Sequence, residues 1–214
     1  MNKAQKLILS IFLSSSVFAQ SNSNKLPFTF NAAYVGNILY NTSGGLQTGA
    51  AYLGIANIGL SFSTEKANLW KGGEFYLLGA NSHGAEPMAN LIGDFQTVSN
   101  IEASSLTYLL EFWFKQSLGP LSQQVGIQEL IAEFVKTDGR GNFINSSFGI
   151  PSVFADNIPS PIFPNTALGL SLFWEISNSI MLQTFVFDGN KSDFASWNQR
   201  KNRSGIVSNN SFRS

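Results

Sequence analysis

The sequence predicts an all-β protein whose strands form part of an antiparallel transmembrane β-barrel. Apolar and polar residues alternate along segments of about nine to eleven residues, the length that a tilted strand needs to cross a bilayer. Charged residues make up 12% of the 214 residues and hydrophobic residues 43%. Few charges beside a mean hydropathy of only +0.04 indicate many neutral polar residues, as expected of strands with one apolar and one polar face.

The N-terminus has the pattern of a bacterial signal peptide. Lys3 and Lys6 precede a short apolar stretch over residues 7–13, and the small residues Val17 and Ala19 stand before Gln20. This order predicts export and cleavage after Ala19. The apolar stretch is too short for a helix that crosses a bilayer. The predicted organisation is therefore a signal peptide over residues 1–19 and a β-barrel domain over residues 20–214.

Seven segments carry the strand pattern, over residues 28–39, 51–62, 73–79, 106–115, 121–130, 168–176 and 180–187. Clusters of Gly, Asn, Asp, Ser and Pro separate them, as is typical of turns. Several strand ends carry aromatic residues that would suit the two interfaces of a membrane: Phe28, Phe62, Trp70, Phe114 and Trp174. A soluble β-sandwich is the alternative, because its core would use the same alternation.

Two longer stretches lack the strand pattern. Residues 85–103 are expected to form a loop or a short helix, and residues 142–164 contain four prolines and are expected to form a long loop. Long loops are usually functional. The second loop is therefore predicted to fold inward and narrow a pore.

The sequence contains none of the constellations that most enzymes and metal sites require. It has no cysteine and a single histidine, His83, which is expected on a surface loop. Phosphate-binding loops and Gly-x-Ser-x-Gly are absent. Glu129 and Glu133 would lie ~13 Å apart on a strand, and no glycosidase pair follows from them. With zero net charge and no basic patch, nucleic acid is not an expected partner. Neither a cofactor nor a metal is expected.

Five segments of the chain resemble, in order and spacing, the carbohydrate-selective porin family of bacterial outer membranes (OprB-type). These segments are residues 91–103, 111–116, 126–134, 143–149 and 161–169. The third contains Gly-Ile-Gln-Glu followed by Glu-Phe, and the fourth, Phe-Ile-Asn-Ser-Ser-Phe-Gly, is the most specific match. The resemblance runs from about Gly45 to Asp188.

The resemblance implies a barrel of about sixteen strands through which sugars diffuse passively. This sequence departs from the family at Ile127 and at Glu129, where the family usually has a more polar residue and Asp. Seven strands are also too few for a water-filled lumen, which needs about 16–18. An incomplete copy of the N-terminal half, with the porin-like part ending at about residue 188, is therefore expected. A small closed eight-stranded barrel and a fragment that no longer folds are the alternatives.

The predicted solute pathway consists of polar and aromatic residues that are expected to face the lumen: Glu111, Trp113, Lys115, Gln128 and Asn145. The first three are expected to share a face with Thr107. Gln128 is expected on a similar polar face with Gln124 and Gly126, and Asn145 in the loop that narrows the pore. The alternative for each is an ordinary lumen or loop residue without solute contact, since lumens are polar throughout.

The predicted function is that of an outer-membrane porin for carbohydrates, and not an enzyme. Its expected partners are outer-membrane lipid, neutral sugars as transported solutes, and further copies of the chain in a homo-oligomer. The competing hypothesis is a secreted β-sheet protein that binds glycans on aromatic side chains and has no channel activity.

Overall fold

In a computed structural model of the protein, the described residues are 10–21, 26–94, 97–129, 143–148 and 161–188. They form one eight-stranded antiparallel sheet in which each strand pairs with its neighbours in sequence. The strands are β1 (Ser10–Ser21), β2 (Phe28–Asn41), β3 (Gly49–Ser63), β4 (Gly73–Gly84), β5 (Leu106–Leu118), β6 (Leu121–Gln128), β7 (Ala167–Ser177) and β8 (Ile180–Phe187). The seven predicted strands correspond to β2–β8. The prediction of a partial barrel with seven to eight antiparallel strands is confirmed.

Strand β1 was not predicted, because all of its residues up to Ala19 fall in the predicted signal peptide. It pairs with β2 from Ser10 opposite Asn41 to Ser21 opposite Phe30. Cleavage after Ala19 would remove all of β1 except Gln20 and Ser21. Export with cleavage at this position stays a prediction.

The sheet is open, since no ladder joins β1 to β8 among the described residues. The eight described strands therefore do not form the closed barrel that was the alternative. At one end, which we call the short-turn end, β5 connects to β6 through residues 119–120 and β7 to β8 through residues 178–179. At the opposite, long-loop end, β4 connects to β5 through residues 85–105 and β6 to β7 through residues 129–166. None of the helical segments in the described part has the length and hydropathy of a membrane-spanning helix.

The two faces of the sheet differ sharply in polarity. The face that we call outer exposes apolar side chains at alternate positions, as at Phe30 on β2, Ile58 on β3, Leu77 on β4 and Phe112 on β5. The opposite, inner face is covered in part by the connections of the long-loop end. Phe163, for example, packs against a small apolar cluster of inner-face residues on β4 and β5.

Every charged residue of the eight strands lies on the inner face. Strand register places all four of them there: Glu74, Glu111, Lys115 and Glu175. A lysine or arginine on the lipid face of a barrel costs about 2–4 kcal/mol at the bilayer midplane. The segregation of charge therefore matches an outer face in contact with lipid and an inner face in contact with water.

An aromatic row crosses the outer face at the short-turn end. The ring centroids of Phe28 and Phe62 are 4.8 Å apart, and those of Phe75 and Phe114 are 4.7 Å apart. Trp70 continues the row, with its ring centroid 6.4 Å from that of Phe114. This is where the sequence predicted an interfacial girdle, and aromatic rings are favoured at that depth.

Thr64 holds the turn that follows β3. Its side chain is fully buried, and its hydroxyl lies 2.7 Å from the carbonyl oxygen of Trp70 and 3.0 Å from that of Gly73. We expect Thr64→Val to lower the free energy of unfolding by about 1–2 kcal/mol, because both carbonyls lose this donor. Urea unfolding of the vesicle-folded protein, followed by tryptophan fluorescence, measures the change.

The control for this prediction is Thr64→Ser, which keeps the hydroxyl and removes only a methyl group. It should lose no more than about half as much stability as Thr64→Val. Equal losses in the two variants would mean that the hydroxyl does not stabilise the turn.

His83 lies inside β4 and not in a loop, which corrects the prediction. On the outer face its Nε2 is 3.1 Å from the hydroxyl of Tyr34, and its Nδ1 donates to Asn81 Oδ1 at 2.9 Å. The Tyr34 hydroxyl also contacts that of Tyr52. The sequence after Gly79 resembled a loop because it is polar. These polar groups satisfy one another on the face of the sheet, so the strand continues.

Candidate functional site

Glu111 and Trp113 form the centre of the inner face. Trp113 Nε1 donates a hydrogen bond to Glu111 Oε2 at 2.8 Å, and the Glu111 side chain is only 8% exposed. The ring of Tyr76, opposite Trp113 on β4, lies with its centroid 5.0 Å from the indole. An aromatic platform with a carboxylate beside it offers a stacking face and an acceptor together, which are the groups that a sugar ring and its hydroxyls use.

A β-bulge sets which residues of β5 face inward. Leu78 pairs with Glu111 but Gly79 pairs with Leu109, so Leu110 is an extra residue on β5. The bulge reverses the alternation. Thr107 therefore lies on the outer face, where its Oγ1 accepts a hydrogen bond from Asn81 Nδ2 at 2.6 Å. The prediction that Glu111, Trp113 and Lys115 share a face is confirmed, and the inclusion of Thr107 is wrong.

Lys115 extends across the inner face toward β7. Its Nζ lies 5.0 Å from the centroid of the Phe173 ring, a distance at which a cation is attracted to an aromatic face. Directly opposite Lys115 stand Glu74 on β4 and Gln124 on β6. Lys115 is thus an inner-face cation that stands next to a carboxylate-bearing residue.

Gln128 belongs to a buried amide network on β6 and β7. Its Oε1 accepts hydrogen bonds from Gln124 Nε2 at 3.0 Å and from Ser171 Oγ at 2.8 Å, and its Nε2 donates to the carbonyl of Gly169 at 2.9 Å. All three polar side chains are almost fully buried. Gln124 and Gln128 share the inner face, as predicted. Their burial leaves the Gln128 side chain almost no surface for contact with a solute.

Asn145 lies in the segment that packs against the β4–β5 connection at the long-loop end. Ser146 N donates to the carbonyl of Thr97 at 3.1 Å, and Asn100 N donates to that of Ile144 at 2.7 Å. The loop predicted to fold inward is described only at residues 143–148 and 161–164, and Phe163 covers the inner face there. Residues 142 and 149–160 of that prediction lie outside the described residues.

The β4–β5 connection also folds over the inner face, which the sequence did not predict. Asn37 Nδ2 on β2 donates to Ser99 Oγ at 2.9 Å. Asn41 Nδ2 lies within hydrogen-bond distance of the Leu91 carbonyl, at 3.2 Å, next to the π-helical turn Met88–Ile92. Both asparagines are nearly fully buried. The sequence held one sign of this contact, since Asn37 and Asn41 stand on the same face of a strand that is otherwise mostly apolar.

Two carboxyl groups of this connection, those of Asp94 and Glu102, are partly buried. Hydrogen bonds compensate only in part for the water that they lose. Burial raises the pKa of Glu102, and the carboxylates of Asp94 and Glu86 raise it further, against a lowering effect of the Met88 N–H. Glu102 Oε1 accepts that N–H at 3.0 Å. Burial likewise raises the pKa of Asp94. The connection therefore presents grouped acidic side chains at the long-loop end.

No group of three His, Cys, Asp or Glu in the described ranges is arranged to hold a metal. What the inner face offers is a stacking platform, carboxylates, one ammonium group and amides. These groups can bind and guide a polar solute through several weak contacts.

Comparison with known proteins places the chain in a family. The profile described as "Carbohydrate-selective porin, OprB family" matches residues 47–213. The chain belongs to the OprB family. This family is one of bacterial outer-membrane transport channels and not of enzymes. The match continues to residue 213, whereas the resemblance in the motifs ended at Asp188. Comparison with curated proteins gives no significant match.

A solved structure of the same family has the same fold. The high-pH structure of Pseudomonas putida OprB superposes with a TM-score of 0.70 at 22% sequence identity, over 78% of this chain and 42% of that chain. The likeness agrees with a sheet that forms part of a porin barrel. The chain thus spans less than half the length of this relative.

Proposed function

We propose that the sheet forms the wall of an outer-membrane pore through which neutral sugars diffuse passively. The observation that carries the proposal is the opposite character of the two faces. The outer face exposes apolar side chains on every strand from β2 to β8, and the inner face holds all four charged residues of the strands. Family membership supports carbohydrate as the solute.

In this pore, solute contacts fall on the exposed part of the inner face. The rings of Trp113 and Tyr76 would contact the apolar face of a sugar, and the carboxylate of Glu111 would hold the indole in place. Lys115 would donate to solute hydroxyls, and Asn145 would act at the long-loop end. Gln128 supports the wall through its network with Ser171.

The proposal includes export with cleavage after Ala19, contact with outer-membrane lipid, association into a homo-oligomer, and an incomplete barrel. The apolar outer face supports the lipid contact. A secreted glycan-binding protein is disfavoured by the same face, because a soluble sheet would hide apolar side chains in a core.

Fractionation of cells that express this chain tests the proposal. We expect a protease-resistant, heat-modifiable band in the outer membrane, with the mass of a chain that begins at Gln20. Purified protein in liposomes should then allow swelling in neutral hexoses. Solubility in buffer without detergent would favour the glycan-binding alternative. A degraded or aggregated product, or liposomes that do not swell, would contradict pore formation by this chain.

A further inference from the structure

The charges of the inner face are unbalanced. Three of the four charged strand residues are carboxylates, and only Lys115 is a cation. Lys115 pairs with Glu74 in the ladder, but its ammonium group extends toward Phe173 on β7. The three carboxylates are spread along the inner face on β4, β5 and β7.

The connection that folds over this face adds negative charge at the long-loop end. Residues 85–105 contain Glu86, Asp94 and Glu102 and no lysine or arginine. In the sequence, no lysine or arginine occurs between Lys71 and Lys115. Among charged residues the described connection therefore carries only acidic ones, and it lies at the long-loop end of the inner face.

A second observation points the same way. Six buried side-chain atoms in the described part lack a hydrogen-bond partner, and five of them are acceptor oxygens: Asn37 Oδ1, Asn57 Oδ1, Asp94 Oδ1, Glu102 Oε2 and Gln124 Oε1. The sixth is the hydroxyl of Tyr108, and none is an N–H donor. Gln124 is 1% exposed and Asn37 is 3% exposed. Unpaired acceptors leave the negative ends of their dipoles uncompensated, which makes the potential inside the wall more negative.

We propose that this wall selects by charge, so that the pore favours protonated amino sugars and neutral sugars over sugar acids. The inference rests on the proposed function and names its solute class. Acidic side chains that line a pore concentrate cations and repel anions. The wall is rich in acceptors, and an amino sugar brings an ammonium group with three donors, whereas a uronate brings a carboxylate that only accepts.

Channel recordings of the full chain in planar bilayers test the selectivity. In a KCl gradient the reversal potential should show preference for K⁺ over Cl⁻, and glucosamine should cross faster than glucuronate in liposomes. Glu111→Gln, which keeps an acceptor for Trp113, should reduce the cation preference roughly twofold at low salt. Glu65→Gln is the matched control, because Glu65 lies in the β3–β4 turn away from the inner face. Anion preference, or equal effects of the two substitutions, would overturn the inference.

A measurement that needs no conductance separates this inference from the proposed function. In a variant with Trp113 as the only tryptophan (Trp70, Trp174 and Trp197 changed to Phe), caesium should quench fluorescence more strongly than iodide, relative to acrylamide. Glu74→Gln should raise quenching by iodide, and Glu65→Gln should not. If caesium quenches more strongly but no current flows, the proposed pore is contradicted and the negative inner face is supported. If current flows and iodide quenches as strongly as caesium, the inner face is not negative. In that case only the charge selectivity is contradicted.

Discussion

Replacing Ile58 by lysine is expected to lower the free energy of unfolding by about 2–4 kcal/mol, the cost of a lysine at the midplane of a barrel's lipid face. Ile58 is 56% exposed on the outer face of β3. It lies four residues from Phe62 at the aromatic row, which is ~10 Å along the membrane normal for a tilted strand. The apolar band of such barrels is ~25 Å tall, so this position is near its centre.

Asn57→Lys is the matched control, because Asn57 is adjacent in sequence and points to the inner face at the same depth. Its neighbours across the two ladders are the small residues Ala33 and Ala80, and the flexible stem of a lysine can carry its ammonium group past them toward water. We expect less than half the loss seen for Ile58→Lys. Ile58→Ala removes apolar surface without adding a charge, so its loss of stability shows how much of the effect of Ile58→Lys comes from the lost apolar surface.

Urea titration of the protein folded in lipid vesicles gives the free energies. A loss for Asn57→Lys that equals or exceeds the loss for Ile58→Lys would mean that the outer face does not contact lipid. The assignment of inside and outside, on which the proposed function depends, would then be wrong.

The strands were predictable because each has enough alternating residues to define two faces. Seven segments that alternate over seven or more residues are found as β2–β8, although their ends differ. β4 continues to Gly84, since polar outer-face residues such as His83 satisfy one another by hydrogen bonds. β1 was missed because a signal peptide and an apolar strand have similar composition. Composition alone does not separate the two.

The sequence predicted only part of the candidate site, because the pairing of β4 with β5 decides which residues of β5 face inward. Periodicity correctly grouped Glu111, Trp113 and Lys115, because no bulge separates them. It failed at Thr107, since the extra residue Leu110 reverses the faces and a bulge leaves no clear mark in a single sequence. Ring contacts between strands, such as Tyr76 with Trp113, depend on register. Register is fixed by neighbouring strands and turns, so those partners appeared only in the structure.

Truncating Trp113 to alanine is expected to raise single-channel conductance and to weaken block by neutral hexoses about tenfold, equivalent to ~1.4 kcal/mol. The indole is the largest inner-face ring beside the buried carboxylate of Glu111, and Tyr76 supports it from β4. Its removal widens the lumen locally and takes away the stacking face of a sugar ring. It also leaves the Glu111 carboxylate without the indole donor.

Two variants separate the causes of this effect. Trp113→Phe keeps an aromatic face without the N–H, so it should retain much of the block if stacking dominates. Trp174→Ala removes the same type of side chain from the outer face, where Trp174 is 48% exposed. It should leave conductance and block unchanged, because that side chain does not face the lumen. Block that survives Trp113→Ala, or falls equally in Trp174→Ala, would remove Trp113 from the solute pathway and leave it as a structural residue of the wall.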